Sequence, residues 1–399
     1  MKILVICQYY YPEPFRISDI CEEMVKRGHE VTVVTGTPNY PEGEIYKGYE
    51  NNARADEVIN GVHVHRCPIF PRKTGALHRM LNYFSYPWQA KKYVKNLMAS
   101  DGKPFDVVFV NQLSPVMMAE PAIAYKKRYG TPVVMYCLDL WPESLVAGGI
   151  KSTSPIYKVF HKISKRIYRK MDRILITSRK FRGYLKDEFG IDDTVIEYLP
   201  QYAEGLFKPL PFRQNAGGIN LLFAGNIGEI QGVETIVKAA KKIHDKRVHF
   251  HIVGGGTDLE RLKELSKGLE NITFYGRRPL EEMPQFYAMA DAMLVTLKAD
   301  PVLSLTLPGK VQSYMAVGKP IIGAIDGEAS EVIIEAHCGY CGKAEDVNSL
   351  VENVTSFMEC DDKKQIGINA RLFYERHFER NKYMNELEQK LVFSARGKL

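Results

Sequence analysis

The chain has no long apolar run. None of its hydrophobic stretches approaches the ~20 residues that a membrane-spanning helix needs. The first residues, MKILVICQYYYPEP, hold an apolar run of only five or six residues and no small-residue cleavage site, so a signal peptide is not expected. These absences predict a protein that stays in the cytoplasm.

Cysteine and nucleotide-loop motifs are also sparse. Seven cysteines, an odd number, indicate reduced thiols rather than a disulfide framework. Cys338 and Cys341 form a C-x-x-C without a second pair, which favours a turn before a strand over a metal or redox site. The glycines form no G-x-G-x-x-G and no Walker G-K-[ST], so a dinucleotide or ATP loop is disfavoured.

Short apolar runs alternate with helical patterns along the whole chain. With 45% apolar and 25% charged residues, the 399 residues predict two or three globular domains. A βαβ unit opens the chain, with a strand at Lys2 to Ile6, a helix at Ser18 to Arg27 and a strand at Val31 to Thr35. Further strands are predicted at Val62 to Val64, Asp106 to Val110, Pro132 to Cys137, Arg173 to Thr177 and Val195 to Leu199, and near Asn220, Val248, Ile272, Ala292 and Pro320.

This alternation is typical of parallel sheets covered on both faces. A proline- and glycine-rich passage, PLPFRQNAGG from Pro209 to Gly218, separates two halves. We predict an α/β fold with two Rossmann-like domains at residues 1–205 and 206–375, whose parallel sheets face a central cleft, and a C-terminal helix at 376–399 that could cross back to the first domain. The cleft is the expected ligand site.

A glycine-rich loop opens the second half. The stretch LFAGNIGEIQG, Leu222 to Gly232, runs from an apolar strand into glycines spaced three and four apart. Gly225 and Gly228 are expected to adopt positive φ and to leave room for a ligand at the main chain. Apolar residues then recur at helical spacing, at Val233, Ile236, Val237, Ala240 and Ile243. The N-terminus of that helix should face the loop and favour a phosphate.

Several motifs together resemble glycosyltransferase family 4. They are RGHEVTVVT at Arg27, NYP at Asn39, DLWPES at Asp139, FAGNIG at Phe223 and LPGKVQSYMAVGKP at Leu307. Within the family, the motifs resemble those of bacterial N-acetylfucosamine-type transferases of capsule and O-antigen synthesis. The resemblance covers nearly the whole chain and implies a GT-B fold, a nucleotide-sugar donor held mainly by the second domain, an acceptor bound by the first, retention at the anomeric carbon, and no metal or cofactor.

The resemblance implies cations around the leaving diphosphate, and two of the corresponding positions are neutral here, Asn226 and Gln231. Lys310 in the P-G-K turn is therefore the predicted catalytic cation, with Arg277 and Arg278 as further candidates. Two adjacent arginines after a strand are equally typical of a solvated rim. The predicted nucleotide-sugar-binding set is Gly225, Asn226, Gly228, Gln231, Gly254, Arg277, Arg278, Pro308, Gly309, Glu328 and Glu331.

A pair of glutamates usual in the family is missing. One acts near the donor sugar and the other holds the ribose hydroxyls, and the corresponding positions are Leu305 and Ser313. Glu328 or Glu331 could hold the ribose instead, and both are equally typical of acids that interact with a helix N-terminus. The alternative is a donor pocket that has lost its function.

In the first half, Asp139 follows a predicted strand at its carboxyl end, where open α/β sheets bind ligands. The resemblance implies a catalytic His or Asp at this point, so Asp139 is expected to contact the donor sugar or the acceptor hydroxyl. Glu143 is the second candidate. A helix cap is the alternative role for an Asp before Trp-Pro.

A basic segment suggests where the protein works. Between Lys151 and Arg182 there are eleven Lys or Arg and one acid, Asp172. Tyr157, Phe160, Ile163 and Ile167 recur there at helical spacing, amid Lys158, Lys162, Lys165, Arg166, Arg169 and Lys170. Trp88 lies among further aromatic and basic residues between Arg72 and Lys103. These segments predict an acceptor-binding face on an anionic membrane, the inner face of the plasma membrane. The alternative is a stripe that packs on the domain's own sheet.

Three functions remain open from the sequence. The first is a retaining hexosyltransferase that moves a sugar, N-acetylated in the favoured version, from a UDP-sugar to a polyprenyl-diphosphate-linked acceptor. The second is a nucleotide-sugar epimerase of the same architecture, and the third is an inactive donor-binding subunit. Nucleic acid is not an expected partner, because no recognised nucleic-acid-binding motif is present.

Overall fold

A computed structural model of the protein describes residues 1–71, 76–147, 149–213 and 217–397. The chain divides into two compact units. Unit 1 comprises Met1–Thr177, Phe181–Leu199 and the chain from Met384 onward, and unit 2 comprises Ser178–Lys180 and Pro200–Tyr383. Unit 2 thus extends past residue 375, because Phe378 packs into its core.

Unit 1 is built on a sheet of order β3-β4-β2-β1-β5-β6-β7-β8 among its described residues. Its strands are β1 Lys2–Ile6, β2 Glu30–Gly36, β3 Asp56–Ile59, β4 Val62–Cys67, β5 Val107–Gln112, β6 Val133–Cys137, β7 Arg173–Ile176 and β8 Ile196–Tyr198. The helices are α1 Ile17–Lys26, α2 Ala76–Val94, α3 Glu120–Tyr129, α4 Glu143–Ala147, α5 Pro155–Tyr168 and α6 Phe181–Phe189. All neighbouring strands are parallel except β3 and β4.

Unit 2 is built on a parallel sheet of order β11-β10-β9-β12-β13-β14. Its strands are β9 Ile219–Ala224, β10 Val248–Val253, β11 Ile272–Gly276, β12 Ala292–Thr296, β13 Ile321–Ala324 and β14 Gly339–Gly342. The helices are α7 Val233–Lys242, α8 Leu259–Leu265, α9 Met283–Met289, α10 Gly309–Ala316, α11 Glu328–Glu335, α12 Val347–Glu359 and α13 Lys363–His377. Helix α14, Arg380–Arg396, belongs to unit 1 from Met384 onward.

Both faces of the unit 2 sheet are buried, as its apolar strands predict. Leu222 of β9 joins a core cluster with Met293 on one face of the sheet. Phe223, the next residue, joins a separate cluster with Leu294 on the other face. Successive side chains of a strand point to opposite faces, so a continuous apolar strand requires a cover on both sides.

The sequence analysis did not predict two of the strands. Strand β3 reads D-E-V-I, and its side chains are exposed or half-buried at the sheet edge, so its apolar signal is weak. Strand β14 is short and begins and ends with glycine. It contains Cys341, so the C-x-x-C is not simply a turn before a strand. The seven cysteines are unpaired.

Within the described ranges, no cluster of three or more His, Cys, Asp or Glu side chains is arranged to hold a metal ion. None of the helices described is both long and apolar enough to cross a membrane.

Candidate active site

The strand order of unit 2 fixes where its loops meet. From β9 the chain runs outward to β10 and β11, then returns to β12 on the other side of β9. Open α/β sheets bind ligands beyond the carboxyl ends of the strands, where the order reverses in this way. The glycine loop after β9 and the passage from β12 to helix α10 therefore form the candidate donor site.

The glycine loop takes its shape from Gly225 and Gly232. Gly225 has φ +149° and Gly232 has φ +61°, backbone conformations that residues other than glycine rarely adopt. The prediction of positive φ at Gly228 is wrong: its φ is −102°, which any residue adopts. A Cβ on Gly228 would approach only Asn226 Nδ2, at 3.0 Å. Gly225 and Gly232 are thus the glycines that the backbone requires.

A second glycine loop, after β10, lies against the first. The Ile227 amide donates to Gly255 O at 2.9 Å, and the Gly225 amide donates to Val253 O at 3.0 Å. A Cβ on Gly254 would overlap the carbonyl oxygen of Gly225. Gly254, predicted to bind the donor, therefore has a packing role of its own.

The helix after the loop forms as predicted. Val233, Ile236, Val237 and Ala240 are buried, while Ile243 caps the C-terminus of α7 and is half-buried. A short 3-10 turn, Glu229–Gln231, separates Gly225 and Gly228 from the helix, and Gly232 directly precedes α7. Because α7 packs on the sheet through this face, its N-terminus is held at the glycine loop.

Lys310 reaches the glycine loop from the second residue of α10. Its Nζ donates to Gln231 Oε1 at 3.1 Å and lies 3.9 Å from the centre of the Phe223 ring. A Cβ on Gly225 would come within 3.0 Å of the same Nζ. Burial lowers the pKa of the Lys310 ammonium to about 7. No acid among the described residues pairs with this lysine, so an anion bound at the loop would be its countercharge.

Arg277 and Arg278 follow β11 and are both exposed. Arg278 Nε donates to Tyr275 O at 3.2 Å, and its guanidinium lies 3.9 Å from Glu282. A Cβ on Gly255 would lie 3.4 Å from Arg277 Cβ, so Arg277 borders the second glycine loop. Of the two arginines, Arg277 is the one placed beside the candidate donor site.

Glu328 and Glu331 are engaged by basic partners. The Glu328 side chain is fully buried and accepts from Arg179 Nε at 2.8 Å and from the Lys180 amide at 3.3 Å. Glu331 is exposed and pairs with Lys180 Nζ at 2.8 Å. Both oxygens of Glu328 are therefore used inside unit 2, which argues against a ribose role. The role of Glu331 stays a prediction.

The carboxylate of Glu204 lies beside Ser313, one of the two positions where the family glutamates are missing. Ser313 Oγ donates to Glu204 Oε2 at 3.3 Å, although the two residues are 109 apart in sequence. Ser313 stands on α10, three residues after Lys310. Leu305 is half-buried, and its carbonyl accepts from Ser178 Oγ. Sequence reasoning missed Glu204, because it lies in the passage before β9 and in no recognisable motif.

In unit 1, Asp139 follows β6 as predicted. Its Oδ2 accepts from the amide of Ser114, which follows the neighbouring strand β5, at 3.2 Å. Burial raises the pKa of the Asp139 carboxyl above its ordinary value. Helix α4 begins at Glu143, so Asp139 is not its cap. A half-buried carboxyl of this kind suits contact with a polar ligand or a proton transfer.

The Glu143 carboxylate is held by two tyrosine hydroxyls. Its Oε1 accepts from Tyr157 Oη at 2.5 Å and from Tyr184 Oη at 2.6 Å. The side chain is buried, and the two hydroxyls join α4 to α5 and α6. These contacts explain Glu143 without a catalytic role, which stays untested.

A buried glutamate, Glu13, connects the Y-Y-Y-P-E-P stretch to the N-Y-P stretch by hydrogen bonds. Glu13 Oε1 accepts from the amides of Asn39 and Tyr40, both at 2.8 Å. Burial raises the pKa of the Glu13 carboxyl to about 7, against the effect of these hydrogen bonds. Glu13 therefore joins the loops after β1 and β2, which belong to neighbouring strands.

The basic helix α5 buries part of its predicted apolar stripe. Phe160 and Ile167 are buried within unit 1, whereas Tyr157 and Ile163 are half-buried. The exposed apolar residues of α5 are instead Ile156 and Val159. Among the predicted basic residues, Lys165 is half-buried, and the exposed ones are Lys158, Lys162, Arg166, Arg169 and Lys170. Trp88 is exposed on α2, and Arg72 lies outside the described residues.

Comparison with known proteins covers both units. Residues 15–201 match the family described as Glycosyl transferase 4-like domain, and residues 218–360 match Glycosyl transferases group 1. The Escherichia coli K12 protein named as colanic acid biosynthesis glycosyl transferase WcaI is 27% identical over 345 residues, 80% of this chain and 82% of its own. The Pseudomonas aeruginosa protein named as glycosyltransferase WbjE is 26% identical over 279 residues, 66% and 68% of the two chains.

A solved structure shows the same fold. HepE of Anabaena, solved in complex with UDP, has a TM-score of 0.71 and 15% identity, covering 98% of this chain and 100% of its own. This likeness confirms the predicted GT-B fold. Because the two family matches together span most of the chain, residues 15–201 and 218–360, the chain belongs to the glycosyltransferases of the group 1 and 4-like families.

Proposed function

We propose that the protein is a retaining, metal-independent hexosyltransferase that uses a UDP-sugar, with an N-acetylated hexose as the favoured donor. The observation that carries the proposal is Lys310, a half-buried lysine without an acidic partner among the described residues, beside the glycine loop. HepE, with the same fold, was solved with UDP and with UDP-glucose. The name of WcaI, a colanic acid biosynthesis glycosyl transferase, supports a role in polysaccharide synthesis. Capsule or O-antigen is the polysaccharide that we propose.

In the proposed reaction, the bond between the anomeric carbon and the β-phosphate oxygen breaks. The acceptor hydroxyl oxygen bonds to that carbon on the same face, and its proton passes to the departing diphosphate. Lys310 and the amides of the glycine loop stabilise the negative charge that develops on the diphosphate. Asp139 contacts the donor sugar or the acceptor hydroxyl. Glu204 replaces the missing glutamate that holds the ribose hydroxyls, because its carboxylate accepts a hydrogen bond from Ser313, which stands at the position of that glutamate.

The acceptor is proposed to be a polyprenyl-diphosphate-linked sugar at the inner face of the plasma membrane. Exposed Lys158 and Lys162 lie beside exposed Ile156 and Val159 on α5, so cations and apolar side chains share one surface of unit 1. Each basic residue near an anionic leaflet contributes about 1 kcal/mol. A Lys158→Glu, Lys162→Glu variant is expected to sediment less with anionic vesicles at low salt. Equal sedimentation of variant and wild type would remove this surface from the proposal.

Calorimetric titration with UDP tests the donor site. UDP is expected to bind the wild type, and 2′,3′-dideoxy-UDP to bind at least tenfold more weakly, a difference of about 1.4 kcal/mol. The Glu204→Gln variant is expected to lose most of this discrimination, since a hydrogen bond from a ribose hydroxyl to a carboxylate is of the stronger kind. The readout is the ratio of the two dissociation constants.

Glu331→Gln is the matched control, because Glu331 is exposed and also belongs to unit 2. This variant is expected to keep the wild-type ratio. If Glu331→Gln no longer discriminates between UDP and 2′,3′-dideoxy-UDP while Glu204→Gln still does, the ribose role would belong to Glu331. Absence of UDP binding by the wild type would refute the donor assignment, and release of a free 2-epimer without an acceptor would indicate an epimerase.

A further inference from the structure

Helices α2 and α5 of unit 1 border an apolar groove, here called the α2/α5 groove. Its apolar lining consists mainly of Phe70, Met80, Leu81, Phe84, Trp88 and Ile163. The volume of the groove is about 560 Å³, within the range of pockets that hold small molecules. It lies in unit 1, and the donor site described in unit 2 makes no use of it.

The groove exposes large apolar side chains side by side. Phe70 and Trp88 are 56% and 58% exposed, and Phe84 is 42% exposed. Met80, Leu81, Phe84 and Trp88 recur at helical spacing, so they share one face of α2 over about 12 Å. A contiguous apolar surface of this kind marks a binding site for an apolar partner. Its elongated form suits a hydrocarbon chain.

The groove also has a charged border. Lys91, Arg166 and Glu120 line it, and Arg166 pairs with Glu120. Lys91 Nζ lies 3.9 Å from Glu120, and Lys92 Nζ lies 3.2 Å from the centre of the Trp88 ring. Two cations, Lys91 and Arg166, thus share one carboxylate, and Lys92 adds a third positive charge beside Trp88. This charge complements an amphiphile whose head is anionic.

We propose that the α2/α5 groove binds the polyisoprenoid chain of the acceptor lipid, with Lys91 and Lys92 facing its diphosphate. This inference rests on the proposed function, which supplies the lipid-linked acceptor. The apolar lining removes part of the chain from water, and the ammonium groups compensate the charge of the head. The groove thereby holds the acceptor by its lipid, separately from recognition of the sugar.

The intrinsic fluorescence of the protein gives a direct test. The chain has two tryptophans, of which Trp141 is buried and Trp88 is exposed in the groove. Farnesyl diphosphate is expected to shift the Trp88 emission to the blue with saturation, because the ring is transferred from water to a hydrocarbon contact. Inorganic diphosphate is expected to give no shift, and Trp88→Phe should abolish the response. Dodecyl diphosphate, which keeps the head group and replaces the branched chain, is expected to bind at least tenfold more weakly than farnesyl diphosphate.

Variants separate the groove from the rest of the molecule. Leu81→Glu is expected to weaken farnesyl diphosphate binding tenfold or more, since it places a charge in the apolar lining. Ile334→Glu is the matched control, because Ile334 is 55% exposed on α11 of unit 2, away from the groove residues in the chain. This control should bind like the wild type.

Each outcome decides a separate claim. A wild type that binds UDP but shows no saturable Trp88 shift would overturn the groove and leave the donor site intact. Equal affinity for dodecyl diphosphate would overturn the isoprenoid assignment in favour of a general alkyl-chain site. Failure of UDP binding would instead overturn the proposed function.

Discussion

Replacing Lys310 by alanine is expected to lower kcat by roughly 10²-fold or more, the range for losing one electrostatic donor to a developing charge. The reason is the position of Nζ inside the glycine loop, beside Gly225 and Gln231, without an acidic partner among the described residues. Steady-state kinetics checks the split between kcat and KM. A rise in KM with kcat intact would mean that Lys310 contributes uniform binding only.

Lys310 also predicts a pH dependence of UDP binding. Burial lowers its pKa to about 7 in the free protein, and a bound diphosphate favours the charged form. Below about pH 7 the lysine is already protonated, so the affinity should be flat with respect to this group. Above that pH, binding must take up a proton, and the affinity should fall by up to tenfold per pH unit. The phosphate ionises near pH 6 and so does not titrate in this window.

The matched control is the Lys310→Ala variant itself, in which this slope should disappear. Calorimetry in two buffers with different ionisation enthalpies measures the proton uptake directly. Identical pH profiles for variant and wild type between pH 7.5 and about 9 would contradict the linkage to Lys310.

Asp139→Asn is expected to lower kcat by roughly 10²-fold or more, because the amide removes the charge with which the carboxylate faces the donor sugar or the acceptor hydroxyl in the transition state. Asparagine can still accept the hydrogen bond from the Ser114 amide, so the loop after β6 should keep its shape. UDP affinity should stay near the wild-type value, because the glycine loops and Lys310 belong to unit 2. Kinetics and UDP titration on the same preparation check both expectations.

The raised pKa of Asp139 adds a second readout. If the ionised carboxylate is the active form, kcat/KM should fall as the pH falls through a pKa that lies above the ordinary 3.8 of aspartate. Glu143→Gln is the comparison, because its contacts with Tyr157 and Tyr184 predict a lower thermal midpoint rather than a lower kcat. Full activity of Asp139→Asn would remove Asp139 from the catalytic site.

The sequence by itself determined the local elements of this protein. Apolar runs such as Val133–Cys137 form buried strands because a strand covered on both faces needs apolar residues at every position. The position of the glycine loop was also predictable, since Gly225 and Gly232 mark backbone that other residues adopt with strain. Strand β3 was not predictable, because an exposed edge strand carries little apolar pattern.

Only the tertiary structure decided which side chains meet. Glu204 and Ser313 are brought together by the fold from distant parts of the chain, and no local pattern encodes that contact. Arg179 and Glu328 are likewise distant in sequence, and only the fold lets the Arg179 guanidinium donate a hydrogen bond to the Glu328 carboxylate. The pKa of Lys310 depends on burial among residues of other elements, which the sequence around the P-G-K turn does not contain. Local propensity therefore gives the elements, while long-range packing sets the charges and partners on which the proposed chemistry depends.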